Sequence, residues 1–237
     1  KYIEELEKLQ DQVPAMEFEK IIEQIEEELG ASYTEYFEEL SSVPLATASI
    51  GQVHQGILKS GEKVVVKVRR VGIEQSIETD LEIMSNLASI LENKVFSNNF
   101  ISPIEIVNDF SQMIKKELDY RIEGRNATKF SNNFFQNPDI KIAKIFKKLT
   151  TRKILTMEFI SGTSIKNIDD KSKRTKLAKL ISESFMKQIL IDGFFHGDPH
   201  PGNIMITTDY EFALLDFGLV GQLSREDRER VATLFIS

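Results

Sequence analysis

The 237-residue sequence has no cysteine and only three histidines. Without cysteine, disulfide bonds, thiolate catalysis and cysteine-ligated metal sites are excluded, and the composition fits a reducing compartment. No apolar run approaches the roughly 20 residues that cross a bilayer, and the start lacks the apolar core of a signal peptide. Basic residues are in deficit: the net charge is −7 and the isoelectric point is near 5.2, so a nucleic-acid partner is not expected.

The length and the composition describe an ordinary globular chain. Hydrophobic residues make up 41% of it and charged residues 28%, which is typical of globular domains. Such a chain forms one large domain or two lobes of about 100–150 residues each. Helical patterns that lack caps lie at both ends, so we expect a piece cut from a longer protein.

The first half of the chain changes its apolar period twice. A helical pattern ends at Gly30, and "IGQVHQGIL" and "EKVVVKVRR" then predict two antiparallel strands joined by "KSGE". Helical spacing returns at residues 73–91. Ser102 opens a capping box, "SPIE", which predicts one long helix that continues to about residue 130.

The second half predicts a connecting strand followed by a more helical part. "KILTMEFISG" indicates a short buried strand, and "KRTKLAKLISESFMKQILIDGFF" indicates an amphipathic helix. "NIMIT" and "EFALLDF" are predicted strands of a second hairpin around the turn "TDY". The order of elements predicts two unequal lobes joined near residues 158–162.

Lys67 lies in the predicted strand "VVVKVRR". The two-residue period of a strand places three valines on one face and Val65, Lys67 and Arg69 on the other. If that second face is partly covered, the lysine needs a counter-charge or an anionic ligand, because burying it alone is costly. The alternative is a surface lysine on an edge strand with its charge in water.

Glu117 offers a possible partner for Lys67. It follows Phe110, Met113 and Ile114 at helical spacing, which places a carboxylate on the apolar stripe of the predicted helix. We therefore expect a core-facing position for Glu117. The alternative is a position at the margin of the stripe, from which the carboxylate reaches water.

The segment "HGDPHPGN" and the later "DFG" concentrate oxygen-bearing side chains. Asp198 and Asn203 lie five residues apart in a loop that its glycines and prolines keep irregular, and Asp216 follows thirteen residues later. An acid that orients a hydroxyl, a carboxamide and a second acid that hold a divalent cation, and a distant lysine are what phosphoryl transfer requires.

Two other interpretations of this segment explain less of it. His196 and His200 have the four-residue spacing of helical zinc ligands, but the prolines and glycines around them forbid the helix. A purely structural turn with buried histidines explains His196 alone. It does not explain the joint presence of Asp198, Asn203 and Asp216.

Five motifs in order, "PLATASIGQVH", "VVVKV", "ELDY", "HGDPHPGN" and "LLDFG", resemble the UbiB family of atypical kinase-like proteins from about Val43 to Leu219. The resemblance implies an α+β fold of the bilobal protein-kinase type, with a small antiparallel-sheet N-lobe and a helical C-lobe that is truncated here. The expected domains are a helical N-terminal extension (1–42), an N-lobe with inserted helices (43–160) and a partial C-lobe (161–237).

The resemblance also assigns roles to individual residues. Lys67 would reach the nucleotide phosphates with Glu117 as its partner, and Asp198 would be the catalytic-loop acid. Asn203 and Asp216 would hold Mg²⁺. The other expected nucleotide-binding positions are the alanine-rich loop Ala46, Thr47, Ala48 and Ser49 and, at the adenine, the backbone of Glu158 and Ile160, with Met157 in the gatekeeper position.

Two departures from the family pattern are visible. Thr47 stands where the family usually has alanine, which leaves the preference between ATP and ADP open. The chain has no "KxGQ" segment, which in the family precedes the kinase-like part. We therefore expect the nucleotide-site residues here without the regulatory and membrane-contacting parts.

The expected function is an ATP-binding, Mg²⁺-dependent kinase or ATPase that supports prenylquinone biosynthesis or lipid homeostasis. The alternatives are a phosphotransferase acting on a small-molecule or protein hydroxyl, and a pseudokinase scaffold that binds nucleotide. Expected partners are a nucleotide and, through the family, membrane lipid or prenylquinone-biosynthesis proteins. The expected location is an intracellular membrane face, in the bacterial cytoplasm, the mitochondrion or the plastid.

Overall fold

The computed structural model describes residues 14–94 and 102–236 as an α+β chain with two compact units. The first unit runs to Tyr120 and includes Lys147–Thr156, and the second combines Arg121–Phe146 with the chain from Met157 onward. Each unit is therefore discontinuous in sequence. Within the described ranges, no helix combines the length and the apolarity that a membrane span requires.

The first unit contains a four-stranded sheet in the order β1-β2-β3-β5. The predicted hairpin is confirmed, because β2 pairs antiparallel with β3. Three valines of β3 are fully buried, as the two-residue period predicted. The strands of this sheet are β1 (Phe37–Thr47), β2 (Gly51–Leu58), β3 (Lys63–Arg69) and β5 (Ile154–Glu158).

Strand β1 was not predicted, and it shortens the expected alanine-rich loop. Ala46 pairs with Val53 and Thr47 pairs with Gln52, so both lie in β1. The connection to β2 is reduced to residues 48–50. It is closed by a hydrogen bond from Ala48 N to Gly51 O of 2.8 Å. Ala48 and Ser49 are therefore the two expected loop residues that lie in a turn.

Three helices of the first unit follow their sequence signals. Helix α1 ends at Gly30, whose φ of 76° is the left-handed conformation that glycine adopts readily. Ser102 is the N-cap of α3, because its hydroxyl accepts a hydrogen bond from Glu105 N at 3.3 Å. The helices are α1 (Phe18–Leu29), α2 (Ile73–Lys94) and α3 (Pro103–Glu117).

The prediction of one long helix after Ser102 was wrong. Leu118 N still donates to Ile114 O, but Tyr120 N donates to Arg152 O at 3.1 Å, a partner far away in sequence. The helical ladder therefore stops, and α4 (Tyr120–Asn133) begins a new helix. The core-facing stripe on α3 was also wrong, since no residue of α3 is buried and Phe110 is 37% exposed. Glu117 itself is half-buried.

The second unit contains a four-stranded sheet and a two-stranded sheet. The larger sheet has the order β4-β9-β8-β6, in which β4 and β9 are parallel and the other pairs are antiparallel. The predicted hairpin of β8 and β9 is confirmed. The strands are β4 (Ile140–Ile142), β6 (Gly162–Ser164), β7 (Phe194–His196), β8 (Ile204–Thr207), β9 (Phe212–Leu214) and β10 (Val220–Gln222).

Helices and aromatic side chains complete the second unit. Helix α5 (Lys171–Met186) widens into a π-helical segment, Lys187–Asp192, before β7. Helix α6 covers Arg225–Ile236. The core of this unit includes four phenylalanines that are at most 1% exposed: Phe130, Phe194, Phe212 and Phe217.

Candidate nucleotide and metal site

The β8–β9 hairpin brings Asn203 and Asp216 to the same end of the sheet. Ile204 pairs with Leu214, and Leu215 N donates to Asn203 O at 3.1 Å. Asn203 immediately precedes the first strand, and Asp216 follows the second by two residues. The spacing of thirteen residues between Asn203 and Asp216 therefore corresponds to the length of one β-hairpin.

The side chain of Asn203 is oriented by the loop that precedes it. Its Nδ2 donates to Asp198 O at 3.0 Å, and its backbone N donates to His200 O at 2.9 Å. An amide whose nitrogen is engaged in this way presents its carbonyl oxygen as an acceptor. That oxygen is a suitable ligand for a hard cation.

Asp216 is fixed by a turn within its own segment. Its Oδ1 accepts a hydrogen bond from Gly218 N at 2.9 Å, and the residue is half-buried. The described residues contain no group of three or more histidine, aspartate or glutamate side chains able to hold a metal ion. One carboxylate and one amide oxygen nevertheless fit Mg²⁺, which commonly takes few protein ligands and completes its shell with phosphate oxygens and water.

Asp198 is the most accessible of the three oxygen-bearing residues. Its side chain is 54% exposed, and its Oδ2 lies 3.7 Å from His200 Nε2. His200 is itself oriented, because its Nδ1 accepts a hydrogen bond from Gly202 N at 2.9 Å. A Cβ at residue 202 would lie 2.5 Å from the His200 ring, so a larger residue there would displace this imidazole. The Asp198 carboxylate can therefore meet a hydroxyl or a water from solution.

His196 supports this loop, as the sequence predicted. It is 3% exposed, packs against Phe130 and Phe217, and its Nδ1 accepts a hydrogen bond from Asp198 N at 3.1 Å. Burial lowers the pKa of His196 below the ordinary histidine value, although Asp216 and Asp198 act in the opposite direction. The imidazole is therefore neutral near pH 7 and accepts at Nδ1. Both histidines use a ring nitrogen within the loop, which argues against a zinc site.

Three supporting residues were missed in the sequence. Gln188 is fully buried in the π-helical segment, and its Oε1 accepts a hydrogen bond from His196 N at 3.0 Å. On α4, Asn126 Nδ2 donates to Phe217 O at 2.9 Å, and Glu123 Oε1 accepts from Phe217 N at 3.5 Å. These contacts fix the backbone on both sides of the candidate metal ligands. In the sequence, these three residues are polar positions within helical patterns, and this was the signal available for finding them.

The phosphate-binding residues expected in the N-lobe lie in the first unit. Lys67 is a half-buried residue of β3 opposite Val53, and its strand neighbours Val66 and Val68 are fully buried. Glu117 is the last residue of α3. Lys67 therefore lies on the less buried face of β3, as the two-residue period predicted.

At the expected adenine-contacting segment, the backbone N–H of Glu158 is already engaged. Glu158 N donates to Lys144 O at 2.8 Å, so its carbonyl is the backbone group it can present to a base. The Glu158 side chain is engaged as well, because it accepts from Lys141 Nζ at 2.7 Å and from Lys144 N at 3.1 Å. Met157 is 6% exposed and Ile160 is 8% exposed.

Comparisons with known proteins agree on one family. The family model described as "ABC1 atypical kinase-like domain" matches residues 8–237. The chloroplastic protein ACTIVITY OF BC1 COMPLEX KINASE 7 of Arabidopsis thaliana is 36% identical over 241 residues, which cover 100% of this chain and 34% of that protein. A probable protein kinase UbiB of Shewanella piezotolerans is 36% identical over 245 residues, which cover 100% of this chain and 45% of that protein.

A solved structure extends the similarity to three dimensions. Rv3197 of Mycobacterium tuberculosis, in complex with erythromycin, matches with a TM-score of 0.79 and 25% identity. The match covers 94% of this chain and 59% of that one. The predicted α+β fold of the kinase-like type is thereby confirmed. The chain spans less than half of the length of the two relatives named above.

Proposed function

Because the chain belongs to the ABC1 atypical kinase-like family, we propose that it binds ATP with Mg²⁺ and promotes transfer of the terminal phosphoryl group. The observation that carries the proposal is the group formed by Asp198, Asn203 and Asp216. The β8–β9 hairpin brings Asn203 and Asp216 to the same end of the sheet, and the side-chain amide of Asn203 donates a hydrogen bond to the backbone carbonyl of Asp198. An oriented carbonyl oxygen beside an oriented carboxylate is a donor set for the magnesium ion of a bound nucleotide.

The proposed roles of the side chains follow from their exposure and contacts. Asp198 is accessible, so it accepts the proton of the attacking hydroxyl or water. The attacking oxygen forms a bond to the γ-phosphorus while the bond from that phosphorus to the bridging oxygen breaks and ADP leaves. Asn203 and Asp216 would hold the cation, which would neutralise charge on the phosphates. Lys67 contacts the phosphates with Glu117 as its partner, the turn at Ala48 and Ser49 supplies the Ser49 amide, and Glu158 and Ile160 contact the adenine.

The wider role that we propose is support of prenylquinone biosynthesis or lipid homeostasis at a membrane face. The UbiB resemblance and the UbiB name of one relative support it. Whether the acceptor is water, a lipid or a protein hydroxyl distinguishes an ATPase from a kinase. Incubating the chain with γ-labelled ATP and each class of acceptor separates them, because an ATPase releases labelled phosphate and labels no acceptor.

The decisive test of nucleotide binding is substitution of a metal-holding residue. Asp216→Asn removes the negative charge and keeps the volume, so we expect it to abolish the thermal stabilisation that Mg–ATP gives the unsubstituted chain. Asp209→Asn, in the exposed turn before β9, is the matched control and should retain the full shift. An equal Mg–ATP shift in the Asp216→Asn and unsubstituted chains would refute the assignment, as would the absence of any shift in the unsubstituted chain.

A further inference from the structure

The side chain of Arg70 joins two separate segments of the first unit. Its Nε donates to Ala48 O at 3.0 Å, and its Nη2 donates to Pro14 O at 2.9 Å. Its backbone N donates to Ile50 O at 2.8 Å. Arg70 therefore holds two carbonyl groups of the turn between β1 and β2, one with its side chain and one with its backbone.

The geometry of the peptide unit gives these contacts a consequence for the turn. In a planar trans peptide, the C=O of one residue and the N–H of the next point in opposite directions. Because Ala48 O and Ile50 O point to Arg70, the N–H groups of Ser49 and Gly51 point away from it. Oriented backbone N–H groups in a turn are donors for anionic oxygens such as those of a phosphate.

We propose that Arg70 is a positioning residue that presents the Ser49 amide to the phosphates of a bound nucleotide. The Gly51 N–H lies on the same side as its carbonyl, which accepts from Ala48 N, and therefore faces across the turn. The inference rests on the proposed function for its ligand. It assigns to Arg70 a role that acts through the turn and not through contact with the nucleotide. Arg70 directly follows β3, so Lys67 and the residue that orients the turn belong to the same short segment of the chain.

Arginine is required at this position because two carbonyls from different segments are bound at once. The guanidinium offers adjacent N–H donors in a fixed plane, whereas a lysine ammonium is a single flexible point. Arg70→Lys therefore keeps the charge and loses one of the two side-chain bonds. Arg70→Ala loses both but retains the backbone bond to Ile50 O, so the strand pairing is kept.

The first measurement is hydrogen exchange of the chain without nucleotide. In Arg70→Ala, the amide of Ala48, which donates to Gly51 O, should exchange about tenfold faster, because the side-chain hydrogen bond that holds Ala48 O is lost. Arg70→Lys should give an intermediate rate. Lys63→Ala is the control, since it removes a positive charge from an exposed position of the same strand and should leave the rate unchanged.

The second measurement compares two ligands that differ only in their phosphates. Arg70→Ala should raise the Kd for Mg–ATP about tenfold and leave the Kd for adenosine unchanged, because adenosine has no group for the turn to bind. Unchanged exchange of Ala48, unchanged ATP affinity or an equal loss of ATP and adenosine affinity would each overturn this inference alone. An unsubstituted chain that binds no ATP would overturn the proposed function, and the phosphate role of the turn with it.

Discussion

At the scale of the residue, Arg69 differs from the adjacent Arg70 in how deeply it is buried and in the groups that it binds. Its side chain is 3% exposed, Nη1 donates to Leu118 O, and Nη2 donates to Glu74 Oε2 at 2.8 Å. Glu74 also pairs with Arg152, whose side chain is 53% exposed. One carboxylate therefore has a buried partner and an exposed partner, which allows the two to be compared.

We predict that Arg69→Ala lowers the free energy of unfolding by about 3–5 kcal/mol, because it leaves acceptors of Leu118 and Glu74 without their buried donor. Arg152→Ala should cost less than about 1 kcal/mol, since an exposed ion pair is screened by solvent. Urea denaturation of both variants measures the difference. Equal losses in the two variants would show that burial does not set the strength of these pairs.

The sequence predicted the oxygen-bearing residues of the candidate site better than their supports. Asp198 and Asn203 lie in a loop whose glycines and prolines indicate irregular structure, and Asp216 follows thirteen residues after Asn203 in "DFG". Asn126 and Glu123 act on Phe217 across more than 90 residues of chain. No local pattern encodes such a distant partner, so these two residues read as ordinary polar positions of a helix.

At the scale of the element, two adjacent aspartates directly precede α5 and have different roles. Asp170 Oδ1 accepts hydrogen bonds from Ser172 N at 2.8 Å and from Lys173 N at 3.1 Å. Asp169 is 99% exposed and lies 3.6 Å from Arg174. Only the first satisfies backbone donors that the helix leaves unpaired at its start.

We predict that Asp170→Ala destabilises the protein by about 1 kcal/mol through loss of the N-cap. Asp169→Ala removes the same charge one residue earlier and should leave the denaturation midpoint unchanged. Chemical denaturation followed by far-ultraviolet circular dichroism compares the two. If the variants behave alike, charge near the start of α5, and not the cap, determines its stability.

The elements that the sequence predicted correctly are those with strong local signals. Local signals predict the end of α1 at Gly30, the cap of α3 at Ser102, and the strands β2 and β3 from their β-branched residues. The break after α3 was missed because it depends on the bond from Tyr120 N to Arg152 O. Strand β1 was missed because "FEELSSVPLAT" lacks regular alternation, and its register with β2 shifts at three places. In both cases, hydrogen bonds between residues distant in sequence determine the secondary structure, and the local period of apolar residues does not.

At the scale of the whole molecule, two buried histidines make stability depend on pH. Burial lowers the pKa of both His54 and His196 below the ordinary value of 6.5. His54 is fully buried, and its ring bonds to Gln52 and Ser41 O. In the unfolded chain both would take up a proton near pH 6.5, whereas in the folded chain they do so at lower pH.

The stability associated with these histidines is therefore complete above about pH 6.5 and is lost as the pH falls through that value toward the folded pKa. We predict a loss of at most about 1.4 kcal/mol per pH unit for each histidine, measured by urea denaturation between pH 7.5 and 5.5. His54→Gln should reduce the slope, and substitution of the exposed His200 by Gln should not. A flat profile across this range would contradict the prediction.

Strand β1 lies at one edge of the four-stranded sheet, and its irregular pairing affects how copies of the molecule meet. A straight, apolar edge strand is a template on which another chain can add a strand and begin aggregation. β1 exposes Val43 and Leu45, but it also contains Pro44, which has no N–H to donate, and the register shifts bend it. The same irregularity that hides β1 from sequence analysis thus protects the sheet from growing beyond the molecule.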